Sequence, residues 1–232
     1  MRSAIVSVVL GAHPSPVSAA GLVRAGAHVG LPASGVRVAL SRGVATGDLA
    51  RLEGGYVLGP RQLHRHARQR AALTDVGDGP WDGTWETAVV VTSGRPTAER
   101  AALRALLQDD RLAELREGVW LRPANLTRAP AHAGHPDLLC VRALAAAEED
   151  GRMLAARLWD LDGWADVGRR LGDWLAQARD PMDRLTIAAG LVRHLAEDPL
   201  LPAALLPDDW PGRELRVVYD AYQDELRALP LL

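Results

Sequence analysis

Apolar positions recur along this chain with two periods, and each change of period marks a new part. Residues 2–12 carry enough apolar side chains for a first helix, which Pro14-Ser15-Pro16 ends. A second helix is predicted over 17–28, with Ala20, Val23 and Ala27 at core spacing, followed by a turn at Gly30-Leu31-Pro32. A third helix is predicted over 34–46. Val36, Leu40 and Val44 lie at i, i+4 and i+8 and form one apolar stripe, Ser34 stands at the N-cap, and Arg37, Ser41 and Arg42 project from the other side. The period then changes to two over 49–58, with Gly54-Gly55 at a hairpin turn. Helix, helix, turn, helix and hairpin, in that order, make the pattern of a winged helix-turn-helix, whose recognition helix enters a major groove.

Residues 61–73 read as a basic helix, and Asp75-Val76-Gly77-Asp78-Gly79-Pro80 as a turn-rich boundary. Beyond it come a buried strand over 86–92, a helix over 97–108 with Leu103, Leu106 and Leu107 inward, and a short strand at Val119-Trp120-Leu121. After a loop with Pro123, Pro130 and Pro136, Leu138-Leu139-Cys140-Val141 makes another strand. This succession predicts an α+β sandwich of the ferredoxin-like type. From 150 onward the chain reads as helical. One stripe runs through Leu158, Leu161, Ala165, Leu171, Leu175 and Ala178; a second through Leu185, Ala188, Leu191, Val192 and Leu195. A third holds Leu215, Val218, Tyr219, Tyr222, Leu226 and Leu229, after a Pro-rich break at 199–211. The predicted organisation is a winged helix over 1–60, a linking helix and turn over 61–80, a ferredoxin-like domain over 81–147 and a helical domain over 148–232.

Charge sharpens the first part. The 232-residue chain has a net charge of −2, yet residues 1–72 hold nine Arg against two acids, Asp48 and Glu53. A basic amino-terminal module on an acidic body suits an electrostatic footprint on phosphate. All 27 basic residues are Arg and there is no Phe, which reflects coding bias rather than function. The single cysteine, Cys140, excludes an intrachain disulfide and fits a reducing cytoplasm. No apolar run reaches the length of a membrane span. The stretch after Arg2 is too short and too polar, with Ser3 and Ser7, for a signal peptide, and a helix packed on the recognition helix is expected there instead.

Candidate chemistry follows from these placements. Arg37 and Arg42 suit bidentate pairing with guanine, Ser34 and Ser41 suit phosphate or base edges, and Val38 lies among them. Arg51, in the wing, is placed for an adjacent phosphate or the minor groove. Without Phe, the seven Trp must carry much of the aromatic packing. Trp81, Trp120 and Trp159, with Arg122, are the candidates for an effector pocket between the middle and helical domains, where a ring would stack and a phosphate would be met. His64-x-His66 and His132-x-x-His135, with Cys140 nearby, lack a CxxC or HExxH partner and read as solvated or DNA-proximal histidines rather than a metal site. Asp78 and Asp82-Gly83 do not make a calcium loop, because Pro80 and Val89 occupy ligand positions. No P-loop, dinucleotide fingerprint or nucleophile elbow occurs, so neither an enzyme nor a cofactor is predicted.

Five stretches carry a resemblance. They are Val36-Arg37-Val38-Ala39-Leu40-Ser41-Arg42, Pro80-Trp81-Asp82-Gly83-Thr84-Trp85, Gly118-Val119-Trp120-Leu121-Arg122-Pro123, Leu158-Trp159-Asp160-Leu161, and Leu206-Pro207-Asp208-Asp209-Trp210-Pro211-Gly212. In these the chain resembles the PaaX family, bacterial repressors of phenylacetate degradation. The resemblance implies a winged helix, a middle domain like CRISPR Cas2 proteins, and a helical carboxyl-terminal domain. It also implies a homodimer that binds a palindromic operator in double-stranded DNA and is released by an aryl-acyl-coenzyme A thioester. Relatives of such a middle domain include metal-dependent nucleases whose first strand ends in Asp. Here that strand runs Val89-Val90-Val91-Thr92-Ser93. A Cas2-like nuclease, or a DNA-binding protein without effector sensing, are the alternatives.

Overall fold

In the computed structural model, which describes residues 2–74, 81–146 and 149–228, the amino-terminal helices are α1 (Arg2–Ala12), α2 (Ala19–His28) and α3 (Ala33–Ala45). Strands β1 (Leu49–Leu52) and β2 (Gly55–Leu58) and helix α4 (Pro60–Thr74) follow. Ile5, Val9, Leu22, Val36, Leu40, Leu49 and Leu58 join in one core, as the helical stripes require. Ser18 caps α2, its hydroxyl accepting from Gly21 N at 3.0 Å.

Helix α2 turns a different face inward from the expected one. Gly21, Leu22, Ala25 and Gly26 are buried, whereas Ala20 and Ala27 are exposed. Close approach is the reason. A Cβ at position 26 would stand 2.5 Å from Val36 Cγ2, so only glycine lets α2 lie against α3 at this point. The cap of α3 is also corrected: Pro32 occupies the N-cap with no side-chain bond, and Ser34 lies exposed inside the first turn. Val44, expected inside, is 41 % exposed, and Gly43 is the buried residue there.

The wing pairs Leu49 with Leu58 through Leu52 with Gly55, so its two-residue loop is Glu53-Gly54 and Gly55 belongs to the ladder. Val17 and Tyr56 exchange backbone bonds at 2.9 Å, which adds a bridge outside the hairpin. A Cβ at position 55 would lie 2.2 Å from Val17 O, and glycine is required. Buried Asp48 accepts from Thr46 Oγ1 and Gln62 Nε2, each at 2.7 Å, and so ties the end of α3 to α4.

The chain divides into two compact units that are not linear in sequence: Met1–Thr74, Ala165–Asp198 and Pro211–Leu232 form one, Asp75–Trp164 and Pro199–Trp210 the other. The predicted boundary at 75–80 and the stripe residue Leu229 lie outside the described residues. In the first unit, α8 (Pro181–Leu195) starts at Asp180, whose carboxylate accepts from Met182 N and Asp183 N, with Pro181 opening the helix. Arg216, on α9 (Gly212–Ala228), pairs with Asp198 at 2.8 Å, both buried.

The second unit holds β3 (Thr84–Val90), α5 (Thr97–Asp109), β4 (Ala113–Arg116), β5 (Val119–Pro123) and β6 (Leu138–Leu144). The sheet order is β4-β5-β3-β6, antiparallel throughout. That is the ferredoxin-like order, in which the two strands joined by the crossover helix are separated by another strand. A loop over 124–137 stands where the second crossover helix would be. Ala88 and Trp120 meet Leu103 and Leu107 of α5 on one face. Trp85 and Leu121 meet Leu154 and Ala155 of α6 (Gly151–Leu158), Leu161 at the start of α7 (Leu161–Gln177), Leu201 and Leu205 on the other. β4 escapes sequence reading because its four residues include Glu114 and Arg116 and none is fully buried.

Asp110 pins the 124–137 loop. Its Oδ2 accepts from His132 N at 2.8 Å and lies 2.6 Å from His132 Nδ1, while Oδ1 pairs with Arg128 Nη1 at 2.9 Å. Burial opposes its charged form, but the His132 bonds and the Arg128 charge outweigh burial and hold the carboxyl below the usual range. Its stabilisation is complete above the unfolded-state value of about 3.9 and is lost as pH falls through the lower folded value. Asp110→Asn is therefore expected to lower Tm at neutral pH and to flatten the acid limb of a Tm-versus-pH profile. Gly26→Ala should cost about 1–3 kcal/mol in urea unfolding, and Val36→Ala in the same chain should recover part of that loss, giving a non-additive double-mutant cycle.

Candidate nucleic-acid interface

Burying Val36, Ala39, Leu40 and Gly43 determines what α3 shows outward. Ser34, Arg37, Val38, Ser41, Arg42 and Ala45 are all exposed, at i, i+3, i+4, i+7, i+8 and i+11, so they form one continuous stripe opposite the core. The stripe is about 16 Å long at 1.5 Å per residue, a length that suits a helix laid in a major groove. Neither Arg37 nor Arg42 is in an ion pair among the described residues, so both guanidinium groups are available to an outside acceptor. Val38 is 50 % exposed and offers an apolar contact of the kind a thymine methyl accepts. The Ser41 hydroxyl donates to Arg37 O at 3.2 Å, which leaves its lone pairs outward and makes it an acceptor for a base amino group.

The wing stands beside this stripe in sequence and shares its core. Arg51 is exposed on β1, opposite Tyr56 in the ladder, and Leu52 at the turn is 57 % exposed. All six residues expected at a DNA surface thus lie outward on α3 or on the wing. Ala45 is the member that the sequence reading omitted; counting on by three and four from Ser34 reaches it.

The four effector candidates are not brought together. Trp120 is buried with the α5 cluster, under the Arg104 guanidinium at 5.5 Å, whereas Trp81 and Trp159 pack on the opposite face of the sheet. Trp81 also donates from Nε1 to Thr84 O at 2.6 Å. Arg122 is fully buried; its Nε donates to Pro123 O at 2.9 Å and Nη2 to Asn125 Oδ1 at 2.8 Å, and Asn125 in turn donates to Leu200 O. Among the histidines of the short clusters, His66 stacks edge-on against His13 at 4.6 Å, His132 serves Asp110, and His135 Nδ1 accepts from Asp137 N. Among the described residues no three His, Cys, Asp or Glu side chains converge on a metal-binding arrangement.

Beyond the end of β3, Thr92 Oγ1 donates to Asp137 Oδ1 at 2.7 Å, and Arg95 pairs with Asp137 Oδ2 at 3.0 Å. A carboxylate does stand close to the strand end, then, supplied by the residue before β6. It is a single group already engaged by an arginine.

A bare arginine stripe on a winged helix, in one chain with a ferredoxin-like sheet and further helices, defines a class of three-part α+β proteins. The chain belongs to the PaaX family. Residues 1–61 match the PaaX-like protein family, 78–138 the PaaX protein central Cas2-like domain, and 175–230 the PaaX-like protein C-terminal domain. Among solved structures it is similar to an uncharacterised protein, Rv0674, from Mycobacterium tuberculosis: 41 % identity over 97 % of this chain and 95 % of that chain, with a TM-score of 0.83. Comparison with curated proteins found no match. Among the described residues no helix is long and apolar enough to cross a membrane.

Because the stripe plays no part in the core, Arg37→Ala, Arg42→Ala and Arg51→Ala are each expected to change stability by no more than about 0.5 kcal/mol in thermal melts. Val36→Ala, one position away, should cost about 1–3 kcal/mol by loss of packing.

Proposed function

We propose that this chain is a transcription regulator, a repressor of the PaaX type, which binds a palindromic operator in double-stranded DNA as a homodimer. An aryl-acyl-coenzyme A thioester or a related effector then releases it. Family membership supports transcription regulation. The one observation that carries the DNA reading is the exposed Ser34–Ala45 face of α3, with Arg37 and Arg42 unpaired among the described residues.

In this reading α3 lies in the major groove. Arg37 and Arg42 pair bidentately with guanines, each worth about 1–3 kcal/mol of discrimination. Val38 meets a thymine methyl, Ser41 accepts from a base, and Arg51 reaches a phosphate beside the wing. Two-fold symmetry sets half-sites about one helical turn, 34–36 Å, apart or at multiples of that distance. Release requires an effector that binds the DNA-incompetent state more tightly than the competent one. The reducing cytoplasm is the compartment in which such a protein with one free cysteine would work.

The Cas2-like sheet is read here as scaffold rather than nuclease. A two-metal phosphodiesterase needs several uncommitted carboxylates around the scissile phosphate. The end of β3 offers Thr92, and Asp137 is held by Arg95.

The test begins with fragments of the source genome retained by the full-length protein, mapped by sequencing, and then assayed by gel shift. Arg37→Ala should weaken binding to the recovered fragment at least tenfold, about 1.4 kcal/mol or more, without change in the melt. Arg51→Ala should weaken all sequences alike and reduce the slope of log affinity against log salt by about one. Wild-type affinity in Arg37→Ala would overturn the proposal.

A further inference from the structure

The outward face of α3 is not uniform across its width. At 3.6 residues per turn, Ser34, Val38, Ser41 and Ala45 fall within about 30° of one centre line along the helix. Arg37 lies about 70° to one side of that line and Arg42 about 70° to the other. All six are exposed. The middle of the face is therefore made of small side chains, and each of its two edges carries one long cation.

The chemistry that this helix can offer a base is narrow. Among its residues, Ala33–Ala45, there is no Asn, Gln, Asp or Glu. Those four types read adenine and cytosine in a major groove, whereas arginine reads guanine through O6 and N7. Guanine is thus the one base that α3 can read bidentately. Neither arginine has a carboxylate on its own helix to compete for it, and neither is in an ion pair among the described residues.

A major groove is about 12 Å wide and a helix with its side chains about 10–12 Å across, so a helix seated there meets both walls. Small residues on the centre line let its axis approach the groove floor. Arg37 and Arg42 then stand toward opposite strands. The five residues between their positions advance the helix by about 7.5 Å, about two base-pair steps of 3.4 Å.

We infer that Arg37 and Arg42 read guanines on opposite strands of a single half-site, within about three base pairs of each other. Followed along either strand, that half-site holds one guanine and one cytosine at this spacing. Val38 lies on the Arg42 side of the centre line, so the thymine methyl that it meets belongs to the strand of the Arg42 guanine. Two guanines in a row on one strand would suit arginines stacked along one edge of a helix, which Arg37 and Arg42 are not. The inference rests on the operator-binding reading above and adds to it the strand that each arginine addresses.

The test uses the full-length protein and the recovered genomic fragment. 7-Deazaguanine, which lacks the N7 acceptor, replaces one guanine of one strand at a time. In gel shifts at low salt, which keeps weakened variants in range, one such replacement on each strand of a half-site should weaken wild-type binding at least about threefold. Arg37→Ala should be indifferent to the replacement on one strand and still respond to that on the other. Arg42→Ala should show the reverse pattern. Sensitive guanines confined to one strand of the half-site, no sensitive guanine at all, or both arginines coupled to the same strand would overturn the inference and leave operator binding in place. Failure to retain any genomic fragment would overturn the operator reading, and this inference with it.

Discussion

Helices α2 and α3 meet where a methyl group at position 26 would stand 2.5 Å from Val36 Cγ2, and the outward face of α3 depends on that contact. Without a side chain at Gly26, α2 approaches closely enough to cover Val36, while Gly43 lies against Leu49 of β1, and Val36, Ala39, Leu40 and Gly43 are buried together. A helix that buries those four positions has no choice about its remaining face: 34, 37, 38, 41, 42 and 45 point outward together. The hairpin is placed by a second contact of the same kind, Gly55 against the Val17 carbonyl. Both surfaces proposed for DNA are thus consequences of how the core closes.

The second unit solves a different problem. Its sheet has the strand order of a ferredoxin-like fold, yet a loop replaces one crossover helix. A loop cannot cover a sheet by burying an apolar stripe, so polar bonds hold it. Asp110, Arg128 and His132 make one such anchor. Arg122 makes another, with its guanidinium bonded to Pro123 O and Asn125 while Asn125 reaches Leu200 O. Nε and Nη2 of this buried guanidinium both have partners, as a charge taken out of water requires. The same bonds leave it unsuited to meeting an outside phosphate.

Recognition, as proposed, uses one outward side of the α2–α3 helix pair. The α3 stripe offers hydrated, unpaired arginines to a polyanion, an interaction that weakens with salt.

Periodicity alone located α1, α3, the wing, α5 and the inward stripe of α8, because in each the apolar side chains are large and regularly spaced. It also placed Arg37, Ser41 and Arg42 outside, since a stripe fixes its own opposite. Other features left no such trace. The inward face of α2 is built partly on Gly21 and Gly26, which carry no apolar signal, so the sequence pointed to Ala20 and Ala27 instead. Strand β4 is short and charged. Trp120 and Trp159 look alike in sequence, but they pack on opposite faces of the sheet. Where large apolar side chains recur, the sequence by itself determines which side of an element avoids water. Which other element covers that side, and what space remains between them, depends on contacts between distant residues and on the small ones that let backbones approach, and only the tertiary structure decided those.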